Sequence, residues 1–305
     1  MIYERKGEWL LLKVPPSWEG RNIEEVFSKY LYASRKQIHL FKMEKKVQVN
    51  NQNVPWDTPL HSNDSLKIKL FDNQPNAIKP TYTDLPVLYE DDFLLIINKP
   101  AAMDTHPNSP EDTSSLVNGV AFYLLMNGED RQIKHIHRLD RNTTGCILFA
   151  KHELIANKLD HMLRERLIKR TYIALVHGLL QKKNGTINKP IGKDRHHSSR
   201  RRISENGQKA ITHYQVLKKL SKENLSLITC TLDTGRTHQI RVHLSSIQHP
   251  LAGDTLYGGK AIYNRQALHA VKIQFKHPIT EEMLTIYAPP MDEPKIFPEF
   301  DLELI

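Results

Sequence analysis

The order of apolar and polar positions cuts the chain into short elements. Residues 8–14 are apolar enough to predict an opening strand, stopped by Pro15-Pro16. Between Asn22 and Tyr32 the apolar residues Ile23, Val26, Phe27, Tyr30 and Leu31 share one helical face. Ser34 is placed to cap a second helix over 35–43, which carries Arg35, Lys36, His39 and Lys42. Val47-Gln48-Val49, an Asn-rich turn and Val54 predict a hairpin, and the alternation Leu66-Lys67-Ile68-Lys69-Leu70 predicts a half-exposed strand. The polar stretch 73–84, with Pro75 and Pro80, reads as a linker.

Beyond it, apolar runs predict strands at 87–89, 93–97, 146–150, 172–177, 210–217, 225–232, 268–275 and 283–287. Helices are expected over 115–126, over about 153–167 and from near Thr237. Residues 193–202 are strongly basic and read as a mobile loop. Strands outnumber helices and mostly follow one another directly. That argues for an α+β protein: a small α+β unit over 1–72, then a unit over 85–305 with a mainly antiparallel, mixed sheet.

Composition narrows the class. The 305 residues suffice for two cores, and a charged fraction of 25% is that of a globular protein. No apolar run is long enough to span a bilayer, and the N-terminus lacks a signal-peptide pattern, so the expected address is cytoplasmic. Cys146 and Cys230 both lie in apolar runs and read as buried thiols, not as a disulfide or metal framework. The net charge of +9 favours a polyanionic partner. Nucleic acid is the expected one, because no basic amphipathic helix suits a membrane surface.

Chemistry concentrates in three stretches. In His137-Arg138-Leu139-Asp140-Arg141-Asn142-Thr143-Thr144-Gly145 a carboxylate sits between two arginines on a loop that enters a core strand. Read alone, this is either a surface ion pair or a carboxylate kept ionised for catalysis. In Asp233-Thr234-Gly235-Arg236-Thr237-His238-Gln239-Ile240-Arg241 a strand ends, glycine turns the chain, and a helix begins beside Arg236, a ready phosphate site. The third stretch, 164–178, runs from a basic helix end into a strand that carries Tyr172. Paired histidines such as His135 and His137 lack zinc-site spacing, so no metal is expected.

Together, in this order and spacing, the three stretches resemble the RluA family of pseudouridine synthases, as does the run from His249 to Gly258. The similarity extends from about Val87 to Pro289, and the front unit is more loosely similar to an alpha-L type RNA-binding domain. Three departures stand out: Thr144 where serine is commoner, Ala102 where glycine is usual, and polar Asp104-Thr105 where apolar residues are usual. The resemblance implies a catalytic domain with a central cleft that isomerises uridine in structured RNA, in large-subunit rRNA or tRNA. It implies no cofactor, no DNA partner and a monomer. Asp140 then matches the catalytic aspartate, Tyr172 the active-site tyrosine, Arg241 the aspartate's partner, and Leu268 an aliphatic residue packing the pocket. Arg138, Arg141, Thr143, Arg236 and His238 would orient the loop or touch RNA. Lys36 and Lys42 of the second helix and Arg200, Arg201 and Arg202 of the basic loop would meet phosphate.

The chemistry suits these residues. The N1–C1′ bond breaks, the uracil turns, and C5 bonds to C1′, so no redox step or metal is needed. The step requires an ionised carboxylate at the sugar, a cation to keep it ionised, and a face on which a flipped base can stack. A binding protein that has kept the fold would carry the same basic surfaces, but it would not need Asp140.

Overall fold

The computed structural model describes residues 2–73 and 77–300. The front unit is a four-stranded sheet in the order β1-β2-β4-β3, formed by Tyr3–Lys6, Trp9–Lys13, Ser65–Lys69 and Val47–Val49. α1, Ile23–Glu25, continues into a π-helical turn, Val26–Tyr30, and α2 spans Arg35–Met43. Ser34 and Gln37 cap α2 reciprocally: each side chain accepts the other's backbone N–H, which satisfies two otherwise orphaned donors.

One expectation for this unit is corrected, and one strand had no signal in the sequence. β3 does not form a hairpin with the stretch at Val54. It pairs antiparallel with β4, Val47 opposite Ile68 and Val49 opposite Leu66, because that register puts all four apolar side chains into one core. β1 is a strand with no apolar alternation, Tyr-Glu-Arg-Lys, tolerated because it lies at the sheet edge.

The stretch 73–84 is also less free than its composition suggests. Residues 74–76 lie outside the described residues, but Thr81 N–H donates to the Asn118 carbonyl and Asn118 Nδ2 to that of Lys79. The two units share one apolar cluster, in which Leu10, Phe27 and Leu66 are continuous with Phe93, Ile96 and Leu148. Arg5 pairs with Asp92 at 2.7 Å, and Tyr32 stacks on His161 with ring centroids 3.7 Å apart.

The large unit is built on a ten-stranded sheet. In chain order it contains β5 (Val87–Glu90), β6 (Leu94–Lys99), α3 (Leu116–Met126), β7 (Lys134–His135), β8 (Thr144–Ala150), α4 (Glu153–Arg164) and β9 (Lys169–His177). β10 (Asn184–Asn188), β11 (Ile191–Lys193), β12 (Arg201–Ile203), β13 (Ile211–Leu220), β14 (Leu225–Leu232), α5 (Gln239–Ser245), β15 (Leu268–Lys276) and β16 (Met283–Tyr287) complete it. The sheet order is β10-β13-β14-β9-β15-β8-β6-β5, with β16 on β15 and β7 on β8. Every pairing is antiparallel except β8 with β15, so the fold is α+β with a mainly antiparallel mixed sheet.

That parallel seam is where Gly145 sits. Its φ is +111°, and a Cβ there would stand 2.3 Å from the Ala270 carbonyl oxygen, so only glycine lets the strands close at this point. The basic stretch 193–202 is not a loop throughout. β11 and β12 pair as a separate hairpin, Ile191 opposite Ile203 and Lys193 opposite Arg201, with the remaining charges at its tip.

Candidate active site

The loop before β8 is pinned from several sides. Leu139 is buried among Tyr172, Ile240 and Leu268, which turns the next side chain, Asp140, towards the open side. The Thr105 hydroxyl donates to the Leu139 carbonyl at 3.0 Å and accepts its N–H at 3.2 Å. Lys99, fully buried at the end of β6, spends its ammonium on the carbonyls of Pro100, Met103 and Arg141, at 2.9, 2.7 and 3.0 Å. Arg265 donates to the Asn142 carbonyl and to the Thr144 hydroxyl, and Gln266 donates to the Thr143 hydroxyl. Thr143 N–H closes a turn onto the Asp140 carbonyl at 2.9 Å. A carboxylate on such a loop has little freedom to turn away.

The residues that depart from the family pattern are part of this support. Thr105 is the clamp on Leu139, and Asp104 pairs with Arg141 at 2.8 Å. Ala102 occupies φ +59°, a left-handed position that explains why glycine is usual there, and its N–H is held by Asn142 Oδ1 at 3.2 Å. Thr144 Oγ1 lies 2.7 Å from His269 Nδ1.

Arg241 comes to Asp140 from α5, 101 positions further along the chain. Its Nη1 donates to Asp140 Oδ2 at 3.3 Å, while Nε and Nη2 grip Asp254 at 2.7 and 2.9 Å. The guanidinium is a bridge: Asp254, 2% exposed, fixes it as a fork, and one remaining N–H is offered to Asp140. Burial works against the charge of Arg241, but the hydrogen bonds and charges of Asp254 and Asp140 outweigh it and raise its pKa above the usual arginine value. The flanking arginines play no such part. Arg141 turns to Asp104, and Arg138 lines the cleft.

Asp140 stands in a cleft of about 560 Å³. Arg138, Thr143, Tyr172, Arg236, His238, Arg241 and Leu268 of the sequence-predicted set line it, with Arg164, Arg166 and Arg170 adding positive charge. Burial lifts the Tyr172 hydroxyl above the ordinary tyrosine pKa, so it is a neutral O–H at neutral pH. His238, directly before α5, places Nε2 3.8 Å from Asp140 Oδ2. Burial holds its pKa below that of a free histidine.

The remaining predicted residues lie elsewhere. Lys36 and Lys42 are on α2 of the front unit, where Lys42 is paired with Glu24 at 2.5 Å and lies over Trp56. Arg200, Arg201 and Arg202 are on the hairpin. Sequence reasoning missed the supporting residues Asp254, Lys99 and Arg265. A lysine closing the apolar run Leu-Leu-Ile-Ile-Asn was a usable signal for Lys99. Nothing local marked Arg265.

Comparison with known proteins gives the family. Residues 93–246 match the family model for RNA pseudouridylate synthase, and residues 10–66 match that for the RluD ribosomal pseudouridine synthase N-terminal domain. The chain is 44% identical over 286 residues to a Bacillus subtilis (strain 168) protein named as an uncharacterized RNA pseudouridine synthase, YhcT, covering 93% of this chain and 95% of that one. It is 33% identical to the ribosomal large subunit pseudouridine synthase D of Nitrosomonas europaea, covering 92% and 85%. Among solved structures, human RNA pseudouridylate synthase domain containing 1 superposes with a TM-score of 0.57 at 25% identity, covering 68% of this chain and 84% of that one. With both units matched, and relatives aligned along nearly the whole length, the chain belongs to the RluA-type RNA pseudouridine synthases, isomerases that act on uridines of RNA.

Proposed function

We propose that the chain converts specific uridines of structured RNA, in large-subunit rRNA or tRNA, to pseudouridine, with Asp140 acting as nucleophile or base at the sugar of a flipped-out uridine. The observation that carries this is the Asp254–Arg241–Asp140 chain at the cleft floor, where a doubly anchored cation meets a carboxylate on a pinned loop. Arg241 gives Asp140 a cationic partner without covering it, since only one of its N–H groups is engaged there. The Tyr172 ring offers a stacking face, and its hydroxyl assists removal of the C5 proton once C5 has bonded to C1′. Leu268 packs the apolar side of the base. Arg138, Arg141, Thr143, Arg236 and His238 orient the loop or meet RNA around it.

In this reading residues 1–72 form an RNA-binding domain, 73–84 connect it, and 85–305 form the catalytic domain of a cytoplasmic monomer without cofactor. Lys36, Lys42 and the hairpin arginines Arg200, Arg201 and Arg202 supply phosphate contacts. Relatives named as ribosomal large subunit synthases support rRNA as the first substrate to try. The test is to map pseudouridine in total RNA from cells with the wild-type chain, without it, and with Asp140→Asn. One or more sites should vanish in the last two strains, while Asp140→Asn still binds the RNA. Normal modification by Asp140→Asn would falsify the role given to Asp140.

A further inference from the structure

Three elements meet at one hydroxyl beside the Asp140–Arg241 contact. Tyr257 closes the 3-10 turn Thr255–Tyr257 that follows Asp254. Its Oη accepts the backbone N–H of Arg201, the first residue of β12, at 2.9 Å, and lies 2.8 Å from His238 Nδ1. The ring is held independently of that hydroxyl, with the Arg241 guanidinium 5.0 Å and the Arg200 guanidinium 5.7 Å from its centroid.

The donors and acceptors suggest a proton arrangement. A backbone N–H can only donate, so it takes a lone pair of Oη. The Oη hydrogen is then free to point at His238 Nδ1, which makes Nδ1 the acceptor. The ring proton is left on Nε2, the nitrogen that faces Asp140 Oδ2 at 3.8 Å.

We propose that Tyr257 is a positioning residue for the isomerisation: it ties the basic hairpin to His238 and holds His238 with an N–H aimed at Asp140. The proposal rests on the reading of Asp140 as the reacting carboxylate. The charged and titratable groups facing His238 are Asp140, Asp254, Arg241, Arg201 and Tyr257 itself. Burial keeps His238 neutral, so it is an N–H donor and not a second cation on Asp140. A neutral donor orients the carboxylate while leaving its charge available for the sugar. At 3.8 Å the contact is longer than a hydrogen bond, so a small shift of His238 is needed to close it. The hairpin supplies a route for such a shift. RNA phosphate on the side chains of β12 moves the backbone N–H of Arg201, and through Tyr257 the imidazole.

Two measurements on the full chain test this. Selective ¹⁵N labelling of histidine, at neutral pH and without RNA, reads which ring nitrogen of His238 carries the proton. The expected result is Nε2–H, and Nδ1–H overturns the proposal whatever the fate of Asp140. In multiple-turnover assays Tyr257→Phe, which keeps the ring, should lower kcat roughly tenfold while RNA affinity stays within about twofold, because the hydroxyl acts on alignment and not on binding. In a His238→Gln background, where the amide supplies an N–H with no tautomer to fix, Tyr257→Phe should cost nothing more. Equal losses in both backgrounds, or wild-type kcat for Tyr257→Phe, overturn it. If Tyr257→Phe does not fold, the tautomer of the unaltered chain decides alone. Should Asp140→Asn remain active, the function reading falls, and the tautomer still judges the Tyr257–His238 link.

Discussion

Asp254→Asn is the most informative single change in the site, because Asp254 touches no RNA in the proposed arrangement and its carboxylate takes both of its hydrogen bonds from Arg241. The substitution keeps the shape and removes the charge. One amide oxygen can still accept an N–H from Arg241, but the NH₂ group then opposes the second N–H that the native carboxylate accepts at 2.7 or 2.9 Å. For charges about 4 Å apart, Coulomb's law with an effective dielectric near 20 gives roughly 4 kcal/mol for the lost pair. Breaking a buried pair from one side typically costs about 3–5 kcal/mol, which agrees. Part of this should appear as lower stability. The rest should appear in catalysis, because Arg241, released from Asp254, swings fully onto Asp140, the other carboxylate it touches. A reacting group displaced by about 1 Å can lose about a hundredfold in rate, or roughly 2.7 kcal/mol of barrier. The assay is tritium release from RNA labelled at uracil C5, the position that loses its hydrogen, measured over multiple turnovers. We expect kcat to fall about a hundredfold with KM unchanged, since no group that binds RNA has been altered. If kcat stays within about threefold of wild type in a folded variant, Arg241 does not depend on Asp254 for its position, and the bridge described here is not what orients Asp140.

Tyr172→Phe should keep RNA affinity and lose about a hundredfold in tritium release, and normal release would remove the hydroxyl from proton transfer. Burial holds the pKa of His135 at about 4, of His152 at about 3 and of His269 at about 4. These values lie below the unfolded pKa of about 6.5, so between pH 6.5 and 4 the unfolded chain binds more protons and stability falls as pH falls, by up to about 1.4 kcal/mol per pH unit for each histidine. The urea midpoint should therefore be lower at pH 5 than at pH 7, and equal midpoints would contradict the neutral, buried histidines. Gly145→Ala forces a side chain into a left-handed φ against the Ala270 backbone, so it should cost more than the roughly 1–2 kcal/mol of the dihedral alone. A melting temperature unchanged by that substitution would mean the β8–β15 seam can relax. Arg200, Arg201 and Arg202 changed together to serine should flatten the salt dependence of RNA affinity by up to about one log–log unit per lost phosphate contact. An unaltered slope would take the hairpin out of the interface.

Much of this structure was legible in the chain. α2 lies where its Ser34 cap and basic face placed it, because a capping box is local chemistry. Eight of the ten strands of the large sheet followed their apolar runs, while β7 (Lys-His) and β10 (Asn-Gly-Thr-Ile-Asn) have no such run and were missed. The basic hairpin escaped notice because Ile191 and Ile203, its paired apolar ends, are separated by a charged tip that dominates the composition. Its three-residue strands are too short to show alternation. β3 was given the wrong partner because sequence proximity favoured Val54, whereas the true partner lies beyond a polar loop. In the site, the meeting of Asp140 with Arg241 followed from the resemblance. Arg141, next to Asp140 in sequence, is not its partner in space and pairs with Asp104 instead. The supports Lys99, Thr105, Arg265 and Asp254 act through carbonyls, hydroxyls and one buried fork that only the closed sheet assembles.

The apolar cluster shared by the two units has a consequence for RNA choice. A reader on a loose tether finds its site by local concentration and accepts many spacings. Here Phe93 and Phe71 pack together across the join, Arg5 holds Asp92, and the Tyr32 ring lies on His161 one helical turn before Arg164 at the cleft. The front unit and the cleft are then held at one separation, like the two jaws of a fixed caliper. If the proposed RNA contact of the front unit holds, an RNA would be measured by the distance between that contact and its target uridine, so lengthening the 73–84 segment should leave target choice almost unchanged, while loosening the Tyr32–His161 contact should widen it.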